Sequence, residues 1–269
     1  MAEKTLFDKP TILTPEQVRF YQDNGYLEVR NALSVSECKK AVKVFERHAR
    51  RSGNVEYKAV MNLDRPEEWR HVYGPNGHWI HSYVRLMLAR NPVLVTVLET
   101  LHGLEPGQLV LMQTMFLYKK AQTEYAPQAW NPHQDGCYHG SPFEATLTGN
   151  LALTDQDREN GCMFIHPGSH KEGHFLESER KTSFHEGRNS RPGHDVSNDP
   201  IYKERYAGKE IELPLQQGSL LVLHGGVVHG SYPNLSKGRD RPMYLAPYKT
   251  LGVPLYYGTD GKRMEIPTR

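Results

Sequence analysis

After Gly107 the chain breaks into short apolar or alternating runs: Leu109-Val110-Leu111, Met115-Phe116-Leu117-Tyr118, Leu151-Ala152-Leu153, Cys162-Met163-Phe164-Ile165, Leu220-Leu221-Val222 and Met243-Tyr244-Leu245. Gly, Pro, Asn and Asp stand between them. Runs of this length bounded by turn-forming residues read as strands, and many in succession make a β-barrel or sandwich. The expected core is therefore a mainly β structure over about 106–250.

The N-terminal part, about 1–105, has a different character. Thr14-Pro15-Glu16-Gln17 predicts a helix start, with threonine as N-cap, proline at the first helical position and glutamine reaching back. Asn24-Gly25 supplies the stop, which gives a helix over about 15–24. Tyr26-Leu27-Glu28-Val29 alternates like a strand. Ser34-Val35-Ser36-Glu37 is a second capping box, opening a helix that puts Cys38, Ala41, Val42, Phe45 and Ala49 on one face. A third helical stretch runs from about Tyr83 to His102 and is interrupted near Asn91-Pro92, where proline removes a backbone donor and restricts the preceding residue.

From about 168 to 206 the chain is polar, without a steady period, and rich in His, Ser, Arg and Gly. That is long for a connection in a compact domain, and such segments commonly form lids. No repeat, low-complexity tract or linker divides the sequence, so 1–269 is expected to be a single domain.

Composition narrows the partners. A formal net charge of +2 on 269 residues gives no basis for binding a polyanion, so no nucleic-acid partner is expected. No stretch reaches the roughly 20 apolar residues that span a bilayer, and the N-terminal segment lacks the apolar run of a signal peptide. Cys38, Cys137 and Cys162 share no C-x-x-C spacing, so neither a disulfide framework nor a structural zinc site is expected. A cytoplasmic protein acting on a small molecule fits these features, and no motif specifies an oligomeric state.

Histidine is the informative excess: the chain has 14. In Asn131-Pro132-His133-Gln134-Asp135 the histidine and aspartate are two residues apart, so on an extended segment both side chains emerge on one face and can reach one ion, with Gln134 pointing the other way. Two histidines and a carboxylate on one face of an octahedron leave three positions open, the arrangement suited to non-haem iron(II). A His-x-Asp pair alone is weak evidence in a histidine-rich chain, and the third ligand has to come from a distant strand. The segment Gly218-Ser219-Leu220-Leu221-Val222-Leu223-His224-Gly225-Gly226-Val227-Val228-His229 offers both His224 and His229 on chemistry alone. Twelve residues past His229, Arg241 opens the run Arg-Pro-Met-Tyr-Leu-Ala-Pro-Tyr. Its guanidinium fork suits a bidentate carboxylate clamp, whereas taken in isolation a surface ion pair is the more ordinary role.

These residues, with the opening segments Leu13 to Val18 and Tyr21 to Tyr26, and with Gln113-Thr114-Met115, Glu159-Asn160-Gly161-Cys162, His166-Pro167-Gly168-Ser169-His170 and His229-Gly230-Ser231, resemble the phytanoyl-CoA dioxygenase family, which includes ectoine hydroxylase. In order and spacing the resemblance covers roughly 13–248. It implies a double-stranded β-helix, or jelly roll, with flanking α-helices, and an Fe(II) enzyme that uses 2-oxoglutarate as cosubstrate and O2 as oxidant.

Carried over residue by residue, the resemblance makes His133, Asp135 and His229 the metal ligands. The Gly-Ser and Asn-x-Ser that follow the distal histidine match Gly230-Ser231 and Asn234-Leu235-Ser236, which leaves His224 structural. Arg241 would bind the far carboxylate of 2-oxoglutarate, with Arg239 as the fallback. Lys119 and Gln113, which share a strand parity, would lie near the cosubstrate. Asn150 departs from the tryptophan that some relatives carry there. Related halogenases lack the carboxylate that Asp135 supplies, so its presence implies hydroxylation rather than halogenation, with succinate and CO2 as coproducts, while desaturation, cyclisation and endoperoxide formation stay open on this scaffold. Trp130, Tyr138 and His139 flank the first two ligands. The basic residues Lys171, Arg180, Lys181, Arg188 and Arg191 lie in the expected lid. The competing readings are a cupin-like metal enzyme that needs no 2-oxoglutarate and a non-catalytic binding module on the same fold.

Overall fold

The computed structural model describes residues 13–52, 58–61, 83–123, 126–182, 192–254 and 265–269. The first helix, α1 (Pro15–Asn24), has the capping box read from the sequence: the Thr14 hydroxyl accepts from Gln17 N, and the Gln17 side chain accepts from Thr14 N. Gly25, at φ 79°, closes it in the left-handed region. Strand β1 (Tyr26–Val29) follows and leads into α2 (Val35–Ser52), where Ser34 and Glu37 cap each other reciprocally. Cys38, Ala41, Phe45 and Ala49 of α2 are buried, and Val42 packs beside them. The expected third helical stretch is a π-helical turn (Val84–Ala89) and then α3 (Pro92–His102), with Asn91 Oδ1 accepting from Val93 N and Leu94 N at the break.

Beyond α3 the predicted β character holds. The strands, after β2 (Lys58–Met61), are β3 (Leu109–Leu111), β4 (Thr114–Lys119), β5 (Trp130–His133), β6 (Thr146–Ala152), β7 (Met163–Ile165), β8 (Glu179–Thr182), β9 (Pro192–Asp195), β10 (Ile211–Leu213), β11 (Leu220–His224), β12 (His229–Ser231), β13 (Arg241–Thr250) and β14 (Ile266–Pro267). Every named pairing is antiparallel. The larger sheet runs β1-β11-β6-β13-β3-β14, with β4 joining β13 to β2, and the smaller runs β10-β7-β12-β5.

Strand alternation divides the apolar residues between two interiors. Phe116, Tyr118, Leu147, Leu151, Leu220, Val222, Tyr244, Ala246 and Tyr248 face outward from the larger sheet and pack under the helices. The alternate residues Leu117, Ala152, Leu221, Leu223, Met243 and Leu245 meet Met163, Ile165 and Leu213 of the smaller sheet. This is the double-stranded β-helix, mainly β with flanking helices.

Two expectations need correction. The N-terminal part, expected to be helical apart from the strand at Tyr26–Val29, also contributes β2; β1, where the sequence predicts it, and β2 extend the larger sheet through β11 and β4. The segment 168–206 is not a structureless loop. It carries a 3-10 turn (Ser169–Glu172), the β8–β9 hairpin and a π-helical turn (Tyr202–Tyr206), while 183–191 lie outside the described residues. What orders it is tertiary: Val196 N donates to Pro132 O at 2.9 Å, so the chain after β9 covers the free edge of β5. Among the described residues no helix is long and apolar enough to cross a membrane.

Candidate metal centre

Strand register builds the site. His133 ends β5 and His229 opens β12, and the two are direct Cα partners across the antiparallel ladder. Residues directly opposite one another present their side chains on the same face within a few ångströms. The two imidazole centroids are accordingly 4.4 Å apart. The chain then turns into a 3-10 element (Asp135–Tyr138), which brings Asp135 beside both rings. Gln134 points the opposite way, as its place between His133 and Asp135 predicts, donating to Gly226 O and accepting from Leu176 N.

Hydrogen bonding fixes which atoms converge. His133 Nδ1 lies 2.7 Å from Asn131 O, and His229 Nδ1 lies 3.1 Å from Val227 O. A carbonyl can only accept, so each Nδ1 carries a proton, and the neutral form of each ring then presents its lone pair at Nε2. Both Nε2 atoms are 3.6 Å from Asp135 Oδ1. The other carboxylate oxygen, Oδ2, accepts from the Thr148 hydroxyl at 2.6 Å. Burial pushes the Asp135 carboxyl upward, but the imidazoles of His229 and His133 and the Thr148 hydroxyl outweigh it and hold the group below the usual carboxylate range. Burial holds His229 neutral, at about 4, against the pull of Asp135. Ligand atoms of the three residues all lie within 4.8 Å of one another. Two imidazoles that present Nε2 and one ionised carboxylate, each oriented by a second hydrogen bond, are a donor set that fits a divalent first-row metal.

His224 is not part of this cluster. Its Nδ1 accepts from Gly226 N at 3.0 Å and its ring packs 5.0 Å from that of His170.

Lys119 and Arg241 meet at the far end of the same interior. They are Cα partners between β4 and β13, and each side chain is about 1% exposed. Lys119 Nζ donates to Ser231 Oγ at 2.8 Å and to Tyr232 O, and Arg241 Nε donates to Gly161 O at 3.0 Å. Burial lowers the Lys119 ammonium well below its ordinary range, and the neighbouring guanidinium lowers it further. Neither residue is the solvated or surface-paired cation it could have been. Arg239, in contrast, is exposed and bridges Asp157 and Glu159 at the surface. Gln113 is half-buried and precedes β4; it shares the parity of the inward-facing Met115, Leu117 and Lys119.

Asn150 sits on the inward face of β6 and is fully buried. Its amide nitrogen donates to Leu221 O at 3.2 Å, while its Oδ1 has no hydrogen-bond partner among the described residues. Trp130 and Tyr138 flank His133, with ring centroids 6.2 Å and 5.7 Å from the imidazole, and His139 is buried. The β8–β9 hairpin closes on this side, where His194 N donates to the Tyr138 hydroxyl at 3.0 Å. Of the basic residues in that segment, Lys171 is tied to Asp23 at 2.9 Å. Arg188 and Arg191, and the side chains of Arg180 and Lys181, lie outside what is described. Sequence reasoning passed over Thr148 and gave Ser231 no role beyond its place in the His229-Gly230-Ser231 motif. Thr148 had a signal, the inward parity of Thr146-x-Thr148-x-Asn150; the pairing of Ser231 with Lys119 spans 112 residues and had none.

A jelly roll whose smaller sheet brings two histidines, and the turn after it an aspartate, to one point is the scaffold of the mononuclear non-haem iron oxygenases. The chain belongs to the phytanoyl-CoA dioxygenase (PhyH) family, whose model matches residues 21–243. Phytanoyl-CoA dioxygenase domain-containing protein 1 of mouse (Mus musculus) is 30% identical over 164 residues, 60% of this chain and 52% of that protein. The match thus spans about half the length of that relative. Among solved structures, the non-haem α-ketoglutarate-dependent carbocyclase SnoK from nogalamycin biosynthesis superposes with a TM-score of 0.65 at 22% identity, covering 94% of this chain and 91% of that one. EctD from S. alaskensis, solved with 2-oxoglutarate and 5-hydroxyectoine, gives 0.62 at 15% identity, covering 94% and 82%.

Proposed function

We propose that this protein is an Fe(II)- and 2-oxoglutarate-dependent dioxygenase that hydroxylates an aliphatic C–H bond of a small organic molecule, with succinate and CO2 as coproducts. The observation that carries the reading is the coexistence, in one barrel interior, of the His133, Asp135 and His229 cluster with the buried cation pair Lys119 and Arg241. Two like charges out of water are costly side by side, and a bound dianion offsets that cost. Membership of the phytanoyl-CoA dioxygenase family and the 2-oxoglutarate bound to EctD support the same assignment.

In this reading His133, Asp135 and His229 hold Fe(II). Bound together, the metal and 2-oxoglutarate supply oxygen activation coupled to oxidative decarboxylation. Arg241 takes the distal carboxylate of the cosubstrate through its planar fork, and Lys119, held by Ser231, adds a point charge beside it. Gln113, on the same strand parity, borders the cosubstrate. Trp130 and Tyr138 form the wall next to His133, and the β8–β9 hairpin keeps water from that side, so the substrate C–H is presented in a dry pocket. Anaerobic addition of Fe(II) and then 2-oxoglutarate is expected to give a weak visible charge-transfer band. Absence of the band together with absence of binding of either component overturns the assignment.

A further inference from the structure

Asp135 is held by a hydroxyl that none of the assigned roles uses. Thr148 lies in the middle of β6, 1% exposed, and its Oγ1 donates to Asp135 Oδ2 at 2.6 Å. The two residues come from different parts of the barrel: Asp135 follows β5, the edge strand of the smaller sheet, and Thr148 belongs to the interior of the larger one, between β11 and β13. The bond is therefore a brace across the barrel. Its effect on the carboxylate is asymmetric, because Oδ1 faces both imidazole Nε2 atoms at 3.6 Å while Oδ2 is turned into the hydroxyl.

We propose that Thr148 is a positioning residue that fixes Asp135 as a single-oxygen metal ligand and so preserves the open coordination positions that the cosubstrate and oxygen need. The inference rests on the functional reading above and concerns how the site counts its ligands. A carboxylate is free to bind through one oxygen or two, and the difference is one coordination position. An octahedral ion with two imidazoles and one carboxylate oxygen keeps three positions open; if Oδ2 also bound, two would remain. A cosubstrate that chelates through two oxygens then leaves none for oxygen itself. A strong charge-assisted hydrogen bond to Oδ2 removes that alternative, since binding the ion through both oxygens would first break it. Thr148 is suited to the task because its backbone is locked in ladders on both sides, paired with Leu223 and Pro247, so the hydroxyl cannot follow the carboxylate. Outer hydrogen-bond partners of this kind influence metal affinity by about 10- to 100-fold.

The test compares Thr148→Val, which keeps the shape and removes the donor, with Thr148→Ser, which keeps the donor. Metal affinity is read by titration with Mn(II) and Co(II), coordination by the visible Co(II) spectrum, and chelation by 2-oxoglutarate binding to the Co(II) protein. Thr148→Val is expected to alter the Co(II) spectrum and to weaken 2-oxoglutarate binding about tenfold or more, while Thr148→Ser restores both to near the parent values. Equal spectra and equal cosubstrate binding in the parent and Thr148→Val overturn the proposal. So does Thr148→Ser failing alongside Thr148→Val, which would mark the methyl group and packing as the cause. If Thr148→Val does not fold, Thr148→Ala against Thr148→Ser gives the same comparison. Failure of the parent protein to bind 2-oxoglutarate at all counts against the functional reading and is a different result from either.

Discussion

Lys119 and Arg241 stand directly opposite each other between β4 and β13, both about 1% exposed, so that two cationic side chains share one buried corner of the barrel. Such an arrangement is stable only with compensating acceptors, and the oxygens of Ser231, Tyr232 and Gly161 supply part of what an anion would complete.

Arg241→Ala is therefore expected to weaken 2-oxoglutarate binding by roughly 2–5 kcal/mol, the range for removing one partner of a buried charge pair. Metal affinity, which depends on the other end of the site, stays within a fewfold of the parent. Calorimetry of 2-oxoglutarate binding to Mn(II)-loaded protein measures the first and Mn(II) titration the second. Arg241→Lys is expected to recover only part of the loss, because an ammonium cannot make the two parallel hydrogen bonds. Unchanged cosubstrate affinity in Arg241→Ala would leave a metal enzyme without this cosubstrate as the better reading.

The distal ligand is tested by a pair of substitutions. His229→Ala is expected to abolish measurable binding of Co(II), because only one imidazole and one carboxylate remain. His224→Asn, which keeps an acceptor for Gly226 N, leaves Co(II) binding intact. Loss of binding in the second variant and not in the first would exchange the two assignments.

Acid should destabilise the metal-free fold through buried histidines outside the metal cluster. Burial lowers His48, His166 and His224 to about 4, with His170 and His102 adding to the effect on His224. Above about 6.5, the unfolded value, both states are neutral at these sites and they impose no pH dependence. Between about 6.5 and about 4 the unfolded chain binds protons that the folded chain refuses, so stability falls as pH falls, and the loss levels off below about 4. Urea denaturation at pH 7.5 and pH 5 measures the difference, on the order of a kcal/mol or more for each histidine. His224→Asn is expected to make the slope shallower, and an unaltered slope would remove His224 from the account.

Gly230 separates His229 from Ser231 in β12, wedged between β5 and β7. A Cβ there would stand 2.4 Å from Trp130 O and 2.3 Å from the end of the Phe164 ring. Gly230→Ala must push β5 and β12 apart, at a cost of about 1–3 kcal/mol for overpacking, and it moves His133 away from His229. Lower thermal stability together with weakened Co(II) binding is the expected outcome. Full metal affinity in this variant would show that the two histidines do not depend on the tight ladder.

Much of this was written in the chain itself. The capping box at Thr14 to Gln17, the break at Asn91-Pro92 and the strand character after Gly107 are local signals, because caps, proline and two-residue alternation act within a few residues. The spacing of His133 and Asp135 was likewise enough to put both on one side of their segment. The sequence singled out His229 over His224 only through resemblance, since the two histidines carry the same chemistry.

The tertiary structure decided the rest. It set His133 against His229 and Lys119 against Arg241, made a surface ion pair of Arg239 and a buried residue of Arg241, and turned the polar stretch after 168 into a hairpin that covers β5. It also placed the Thr148 hydroxyl on Asp135. Each of these depends on strand register between segments far apart in the chain. A register shift of one residue leaves local propensity untouched and reverses which side chains face inward, so no local pattern could specify it. The sequence by itself determined which residue types and elements were available, and packing of the two sheets determined which of them meet.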